Sequence, residues 1–110
     1  MSTSISSLIS NYFMASNQGD SAAVLSFFAD GAKVVDHGEN REMEGLAEIQ
    51  TWLDGTVASY NLTAQVLRSE ETEKGQTCEV SVSGDFPGSP LHFNYAFQID
   101  QEKILLLEIS

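Results

Sequence analysis

Apolar residues in the first half of the chain recur at the spacing of helices. Near the start they lie at intervals of three and four, on one face of a predicted amphipathic helix: Ile5, Leu8, Ile9, Tyr12 and Phe13. Hydroxyl side chains at residues 2–4 can cap its start, and Gly19 is predicted to end it in a left-handed turn. A second, short helix, capped by Asp20 or the following serine, is predicted to run through Phe28 and to end at Asp30-Gly31.

A short strand and a third helix are predicted to follow. Residues 32–36 are predicted to form a strand because Val34 and Val35 are β-branched, and the polar residues 37–42 are interpreted as a loop. The third helix is predicted over about residues 46–59, where one face is apolar. The apolar positions of that face are Ile49, Trp52, Leu53 and Val57.

The second half of the chain alternates apolar and polar residues, as half-buried strands do. The apolar positions are Leu62, Ala64 and Val66 in one strand, Cys78, Val80 and Val82 in the next, and Leu91, Phe93, Tyr95, Phe97 and Ile99 in a third. Turns are predicted over residues 70–75 and 84–90, and residues 104–109 form the last predicted strand. Helices followed by an antiparallel meander predict an α+β fold in a single domain, residues 1–110.

Composition and charge exclude several classes of partner. The chain has 5 Lys and Arg against 16 Asp and Glu, a formal net charge of −11. That charge repels polyphosphates and anionic lipid, so we expect neither nucleic acid nor a membrane as a partner. No apolar run approaches the ~20 residues of a membrane span. Cys78 is the only cysteine, so no internal disulfide is expected. The first thirty-two residues have no Lys, Arg or long apolar block, so they lack the pattern of a signal peptide and we expect a soluble, cytoplasmic protein.

Four segments, in this order along the chain, resemble the nuclear transport factor 2-like superfamily. They are YFMASNQGD (residues 12–20), FFADGAKVVD (27–36), MEGLAEIQTWL (43–53) and SGDFPGSPLHFNYAFQID (83–100), the last being similar to strands of small bacterial SnoaL-like proteins. The resemblance covers nearly the whole chain and implies a cystatin-like cone, in which a curved antiparallel sheet wraps around three N-terminal helices. The superfamily includes ketosteroid isomerases, polyketide cyclases, dehydratases and non-enzymatic binding domains, so the fold does not decide the chemistry.

The ketosteroid isomerase branch implies three candidate catalytic residues. Asp36 stands where that branch has its general base, and Tyr12 stands where it has an oxyanion-hole tyrosine. The branch has a protonated acid on its penultimate strand, and this chain departs from it by having Tyr95 there. In that chemistry, a worked example of tuned acid–base groups, a carboxylate walled by apolar side chains takes a proton α to a carbonyl while neutral donors stabilise the enolate.

Each candidate also has an ordinary structural interpretation. Asp36 can end a strand and cap the turn after it, and Tyr12 and Tyr95 occupy positions where core aromatics are common. The predicted ligand-binding residues are aromatics of the pocket wall or core and a histidine at the pocket mouth: Phe28, Trp52, Phe86, Phe93, Phe97 and His37. No metal or cofactor is predicted, because His37 has no second histidine nearby.

Three functions remain open from the sequence. The first is the binding of a small hydrophobic molecule in an apolar cone pocket. The second is a cofactor-free isomerase or cyclase that abstracts a proton α to a carbonyl, with Asp36 as base and Tyr12 as oxyanion donor. The third is a non-catalytic, homodimeric interaction module that uses the polar outer face of the sheet; the resemblance alone implies the homodimer.

Overall fold

A computed structural model describes residues 6–57 and 62–110, and in those residues it has three helices and six strands. The elements are α1 (Ser7–Asn17), α2 (Ser21–Ser26), β1 (Phe28–Asp36), β2 (Arg41–Glu44), α3 (Leu46–Thr56), β3 (Thr63–Glu71), β4 (Gly75–Ser83), β5 (Leu91–Asp100) and β6 (Lys103–Ile109). The strands form one curved sheet in the order β2-β1-β6-β5-β4-β3, and the helices cover its inner face. The predicted α+β cone fold is therefore confirmed. Within the described residues, no helix is both long and apolar enough to cross a membrane.

Local capping chemistry sets the bounds of α1 and α2. The hydroxyl of Ser6 accepts a hydrogen bond from the backbone N–H of Ile9 at 3.3 Å and so begins α1. Gly19 ends that helix in the left-handed region, with φ of 71°, as its sequence predicts. Asp20 then caps α2 by accepting from the N–H of Ala23 at 3.1 Å. The other predicted caps, residues 2–4, and Ile5 lie outside the described residues.

The predicted end of the second helix at Asp30-Gly31 is wrong. The helix stops at Ser26, and Phe28 already begins β1. The carbonyl of Phe27 accepts a hydrogen bond from the N–H of Ile104 at 2.8 Å, so the chain is bound to β6 at this point. Pairing with a strand distant in sequence therefore overrides a local apolar spacing that also fits a helix.

Residues 37–42, interpreted as a loop, include the start of a strand that the sequence analysis missed. Strand β2 pairs antiparallel with β1 through Asp36 opposite Arg41 and Val34 opposite Met43. Only Met43 of this four-residue strand is buried, and its other residues are exposed and charged. Short, charged strands are typical of sheet edges because they discourage pairing with another chain.

The antiparallel meander predicted for the second half of the chain is correct for β3 to β6, and β1 joins it with a parallel pairing. Strand β1 runs parallel to β6, with Asp36 opposite Ile109 and Val34 opposite Leu107. The first two strands also precede α3, so the helices are not all ahead of the sheet in the chain. The predicted turn at residues 70–75 is shorter than expected, because β3 extends to Glu71 and β4 begins at Gly75.

Alternation along the strands directs one set of side chains toward the helices. In β4 the buried residues are Gln76, Cys78, Val80 and Val82, which confirms the predicted period of two. The predicted third helix is present as α3, and its buried positions include Ile49, Trp52 and Leu53. The predicted helix residues 58 and 59 lie outside the described part of the chain. The core consequently lies between the helices and the inner face of the sheet.

Candidate ligand site on the inner face of the sheet

Asp36 and Tyr95 lie in one row across three strands. Asp36 on β1 is opposite Ile109 on β6, and Ile109 is in turn opposite Tyr95 on β5. Residues directly opposite each other share a face of the sheet, so all three face the helices. Neighbouring strands are about 4.8 Å apart, which places the Asp36 and Tyr95 backbones roughly 10 Å from each other. The parallel β1–β6 pairing therefore brings the predicted base and a predicted donor to the same surface.

Helix α1 places the second phenol, Tyr12, against the inner face of the sheet. The ring of Tyr12 lies 5.4 Å from the ring of Phe97 and 6.1 Å from that of Phe28, both edge to face. Phe13, one residue along α1, lies 5.4 Å from the ring of Tyr95. We call these five rings the aromatic cluster: Tyr12, Phe13, Phe28, Tyr95 and Phe97.

Both phenols in the aromatic cluster resist ionisation. Burial raises the pKa of Tyr12 well above 10.0, and the neighbouring Tyr95 raises it further. Burial likewise raises the pKa of Tyr95, and the nearby Asp36 carboxylate adds to the effect. At neutral pH both groups therefore keep their protons and can donate hydrogen bonds.

Asp36 caps the turn after β1 and lies on the inner face of the sheet. Its Oδ1 accepts a hydrogen bond from the backbone N–H of Glu39 at 3.3 Å, so it does cap the turn that follows β1. The same half-buried carboxylate acts on the Tyr95 phenol. A carboxylate offers about four acceptor positions. One long hydrogen bond from the turn leaves capacity for a proton or a donor from the inner side.

His37 does not join this group. Its Nε2 lies 3.1 Å from the Oε2 of Glu108, and the two side chains are 53% and 47% exposed. Glu108 sits between the buried Leu107 and Ile109 on β6, so its side chain belongs to the outer face. Within the described residues, no group of three or more His, Cys, Asp or Glu side chains is suited to hold a metal ion.

The other predicted wall residues are distributed around the interior. Phe93 on β5 and Phe86 in the β4–β5 loop are half-buried and pack against the core. Trp52 on α3 is buried, and it makes none of the ring contacts found in the described residues. The structure thus separates Trp52 from the aromatic cluster.

Sequence reasoning missed two inner-face groups. Phe13 was assigned only to a helix face, yet its ring touches both Tyr95 and Phe97. Gln76 is 1% exposed and accepts a hydrogen bond from the N–H of Ser6 at 3.1 Å. Its place in the alternation with Cys78 is the signal that marks it as inward-facing.

Comparison with known proteins identifies the family. No protein-family model matches the sequence, and no curated protein matches it. A candidate polyketide cyclase from Sinorhizobium meliloti, protein SMa1630, is 30% identical with a TM-score of 0.88, over 96% of this chain and 95% of that one. A hypothetical protein of ketosteroid isomerase-like fold from Catenulispora acidiphila, solved in complex with trimethylamine, is 19% identical with a TM-score of 0.85, over 97% and 86%. A computationally designed 17-OHP binder is 10% identical with a TM-score of 0.79, over 94% and 86%.

The curved six-stranded sheet and its inner helices define an α+β cone of the cystatin-like class. The chain belongs to the nuclear transport factor 2-like superfamily, alongside polyketide cyclase (SnoaL-like) and ketosteroid isomerase-like proteins.

Proposed function

We propose that this protein binds a small, largely apolar molecule between its helices and the inner face of its sheet. The observation that carries the proposal is the inner-face row Asp36–Ile109–Tyr95 beside the aromatic cluster. Ligand sites are typically apolar and aromatic with a few placed polar groups. Two neutral phenols and one carboxylate supply those groups here. The net charge of −11 favours a neutral or cationic ligand over an anion.

Two similar structures support a binding role. The designed 17-OHP binder and the trimethylamine complex are both proteins of this fold that hold a small molecule. At 19% and 10% identity, these two proteins share only the fold with this chain.

A neutral hydrophobic dye, N-phenylnaphthylamine, tests the proposal on the full chain. We expect saturable binding of one dye per chain, with fluorescence enhancement and retained circular dichroism. Phe93→Ala should weaken binding, because Phe93 is half-buried on the same face as Tyr95. The matched control is Leu105→Ala, a residue 41% exposed on β6, which should bind as wild type does. Absence of saturable binding to the folded wild type would overturn the proposal.

Enolisation is the second candidate function, favoured by the placement of Asp36 and Tyr95 on one face. The C–H bond α to a ketone breaks, its proton passes to the Asp36 carboxylate, and the electron pair moves to the carbonyl oxygen. The Tyr12 and Tyr95 hydroxyls would donate hydrogen bonds to that oxygen as its charge develops. Return of the proton to the same or another carbon completes exchange or isomerisation without a cofactor.

Deuterium exchange at the α carbon of α-tetralone, followed by proton NMR in deuterium oxide, tests this step without knowledge of the natural substrate. An enzyme of this type should accelerate exchange, and Asp36→Asn should slow it by roughly a hundred- to ten-thousand-fold. Asp30→Asn, which alters an exposed acid on the same strand, is the control. Dye binding without accelerated exchange would leave the binding function and exclude the enzymatic one for this ketone.

A homodimeric interaction module is the third candidate function. The outer face carries a shallow groove of about 390 Å³, whose lining includes Thr77, Ala96, Gln98, Leu106 and Glu108. A contact across this mixed polar and apolar surface would be a wet one. Light scattering over a dilution series tests for the dimer, and a monomeric mass at every concentration would contradict it.

A further inference from the structure

We propose that the indole N–H of Trp52 is the hydrogen-bond donor for an oxygen atom of the bound molecule. The inference rests on the proposed binding function and narrows its ligand class to apolar molecules with an accessible carbonyl or ether oxygen. Trp52 is only 4% exposed. Its Nε1 is fully buried and finds no acceptor among the residues that the structure describes.

An unpaired buried N–H is costly. The indole nitrogen can only donate, so it needs an acceptor from elsewhere. Leaving such a donor unsatisfied costs about 1–3 kcal/mol, and buried tryptophans usually have a partner. A phenylalanine or leucine at this position would fill space on α3 without that cost.

Among the described residues, every other fully buried side-chain nitrogen or oxygen has a hydrogen-bond partner. Gln76, which is more deeply buried than Trp52, accepts from the N–H of Ser6 at 3.1 Å and donates to the hydroxyl of Ser69 at 3.3 Å. The Trp52 donor is therefore an exception among the buried polar groups that the structure describes. Exceptions of this kind call for a specific explanation, and a ligand acceptor supplies one.

The donor lies apart from the phenols. Helix α3 packs against α2, β1 and β2, whereas α1 packs against β3 and contributes Tyr12 and Phe13 to the aromatic cluster. Trp52 is carried by α3 and makes none of the ring contacts that form the aromatic cluster within the described chain. A ligand oxygen held there is distinct from any oxygen held by Tyr12 or Tyr95.

The test uses two ligands that differ in one group. Acetylnaphthalene carries a carbonyl oxygen, and isopropenylnaphthalene has a methylene group in its place. Trp52 is the only tryptophan of the chain, so a nitrogen-labelled sample gives one assigned indole N–H resonance. We expect the ketone to shift that resonance downfield and to bind roughly three- to tenfold more tightly than the alkene, as one hydrogen bond predicts.

A variant isolates the donor. Trp52→Phe removes the N–H and should bring the affinities for ketone and alkene to within about twofold of each other. Ile49→Val, on the same buried face of α3, is the control and should keep the preference. The inference is overturned if wild type binds both ligands equally, if the indole resonance does not respond to the ketone, or if Trp52→Phe keeps the preference. Failure of wild type to bind either ligand would overturn the proposed function as well, so the two failures are distinguishable.

Discussion

Asp36 and Tyr95 face the same side of the sheet with only Ile109 between them, and their ionisable groups interact. Burial raises the pKa of the Tyr95 phenol, and the Asp36 carboxylate raises it further. The interaction links a residue at the end of β1 to one on β5, across the parallel pairing of β1 with β6. The pKa of Tyr95 therefore reports whether the Asp36 carboxylate faces the interior.

Neutralising Asp36 should make Tyr95 easier to ionise. In Asp36→Asn the pKa of Tyr95 should fall below its wild-type value and stay above 10.0, because burial, the larger cause, remains. Alkaline titration of the tyrosine ring-carbon resonances by NMR measures this shift. Asp30→Asn is the control and should leave the Tyr95 titration where it is in wild type. Equal effects of the two substitutions would contradict the arrangement.

Stability should decrease in strongly alkaline solution. Burial raises the pKa of Cys78 from 9.0 to about 11, and it raises the pKa values of Tyr12 and Tyr95 above 10.0. Because the folded state binds more protons than the unfolded state in these ranges, the free energy of unfolding falls as pH rises through them. For each group, the free energy of unfolding falls by about 1.4 kcal/mol for every unit by which its pKa in the folded state exceeds its pKa in the unfolded state.

Urea denaturation at a series of alkaline pH values measures that loss. Tyr95→Phe should lose less stability than wild type above pH 10.0 and the same amount between pH 9.0 and 10.0, where Cys78 dominates. Parallel curves for the two proteins at all pH values would show that Tyr95 does not keep its proton on folding.

Local patterns predicted those parts of the fold that local forces determine. The spacing of Ile9, Tyr12 and Phe13 predicted α1, and the alternation through Val80 predicted β4, because each element buries one face of its own. The misassigned Phe28 and the missed β2 depend on pairing with other strands. No local spacing encodes such pairing, and charged residues conceal an edge strand further.

The candidate site was predicted by a different route. Asp36, Tyr12 and Tyr95 were identified from a family resemblance, since a single acid or phenol has no distinguishing pattern. Their alignment through Ile109 depends on the parallel β1–β6 register, which joins residues more than seventy positions apart in the chain. The lack of an acceptor for the Trp52 N–H among residues 6–57 and 62–110 is a property of packing, so only a structure could identify it.

Gln76 should stabilise the protein by joining α1 to the sheet. It accepts from the N–H of Ser6 and donates to the hydroxyl of Ser69 while almost fully buried. Gln76→Ala removes these bonds and buried volume, so we expect a loss of about 2–3 kcal/mol in the free energy of unfolding. Gln65→Ala, at an exposed position of β3, should change it by less than about 0.5 kcal/mol. Urea denaturation measures the free energy of unfolding of both variants. Similar losses in the two would contradict a special role for Gln76.

Two glycines should respond in opposite directions to the same substitution. A Cβ on Gly75 would collide with the carbonyl oxygen of Phe97 and lie 2.9 Å from its carbonyl carbon. Both atoms are backbone of the neighbouring β5, so Gly75→Ala must displace a strand and should cost about 2 kcal/mol. Gly55 lies within α3, where an added Cβ meets no described atom within 4 Å, so Gly55→Ala should stabilise the protein by about 1 kcal/mol. A urea midpoint for Gly75→Ala at or above that of wild type would contradict the close approach of β4 to β5 at Gly75, and a lowered midpoint for Gly55→Ala would contradict the open space at Gly55.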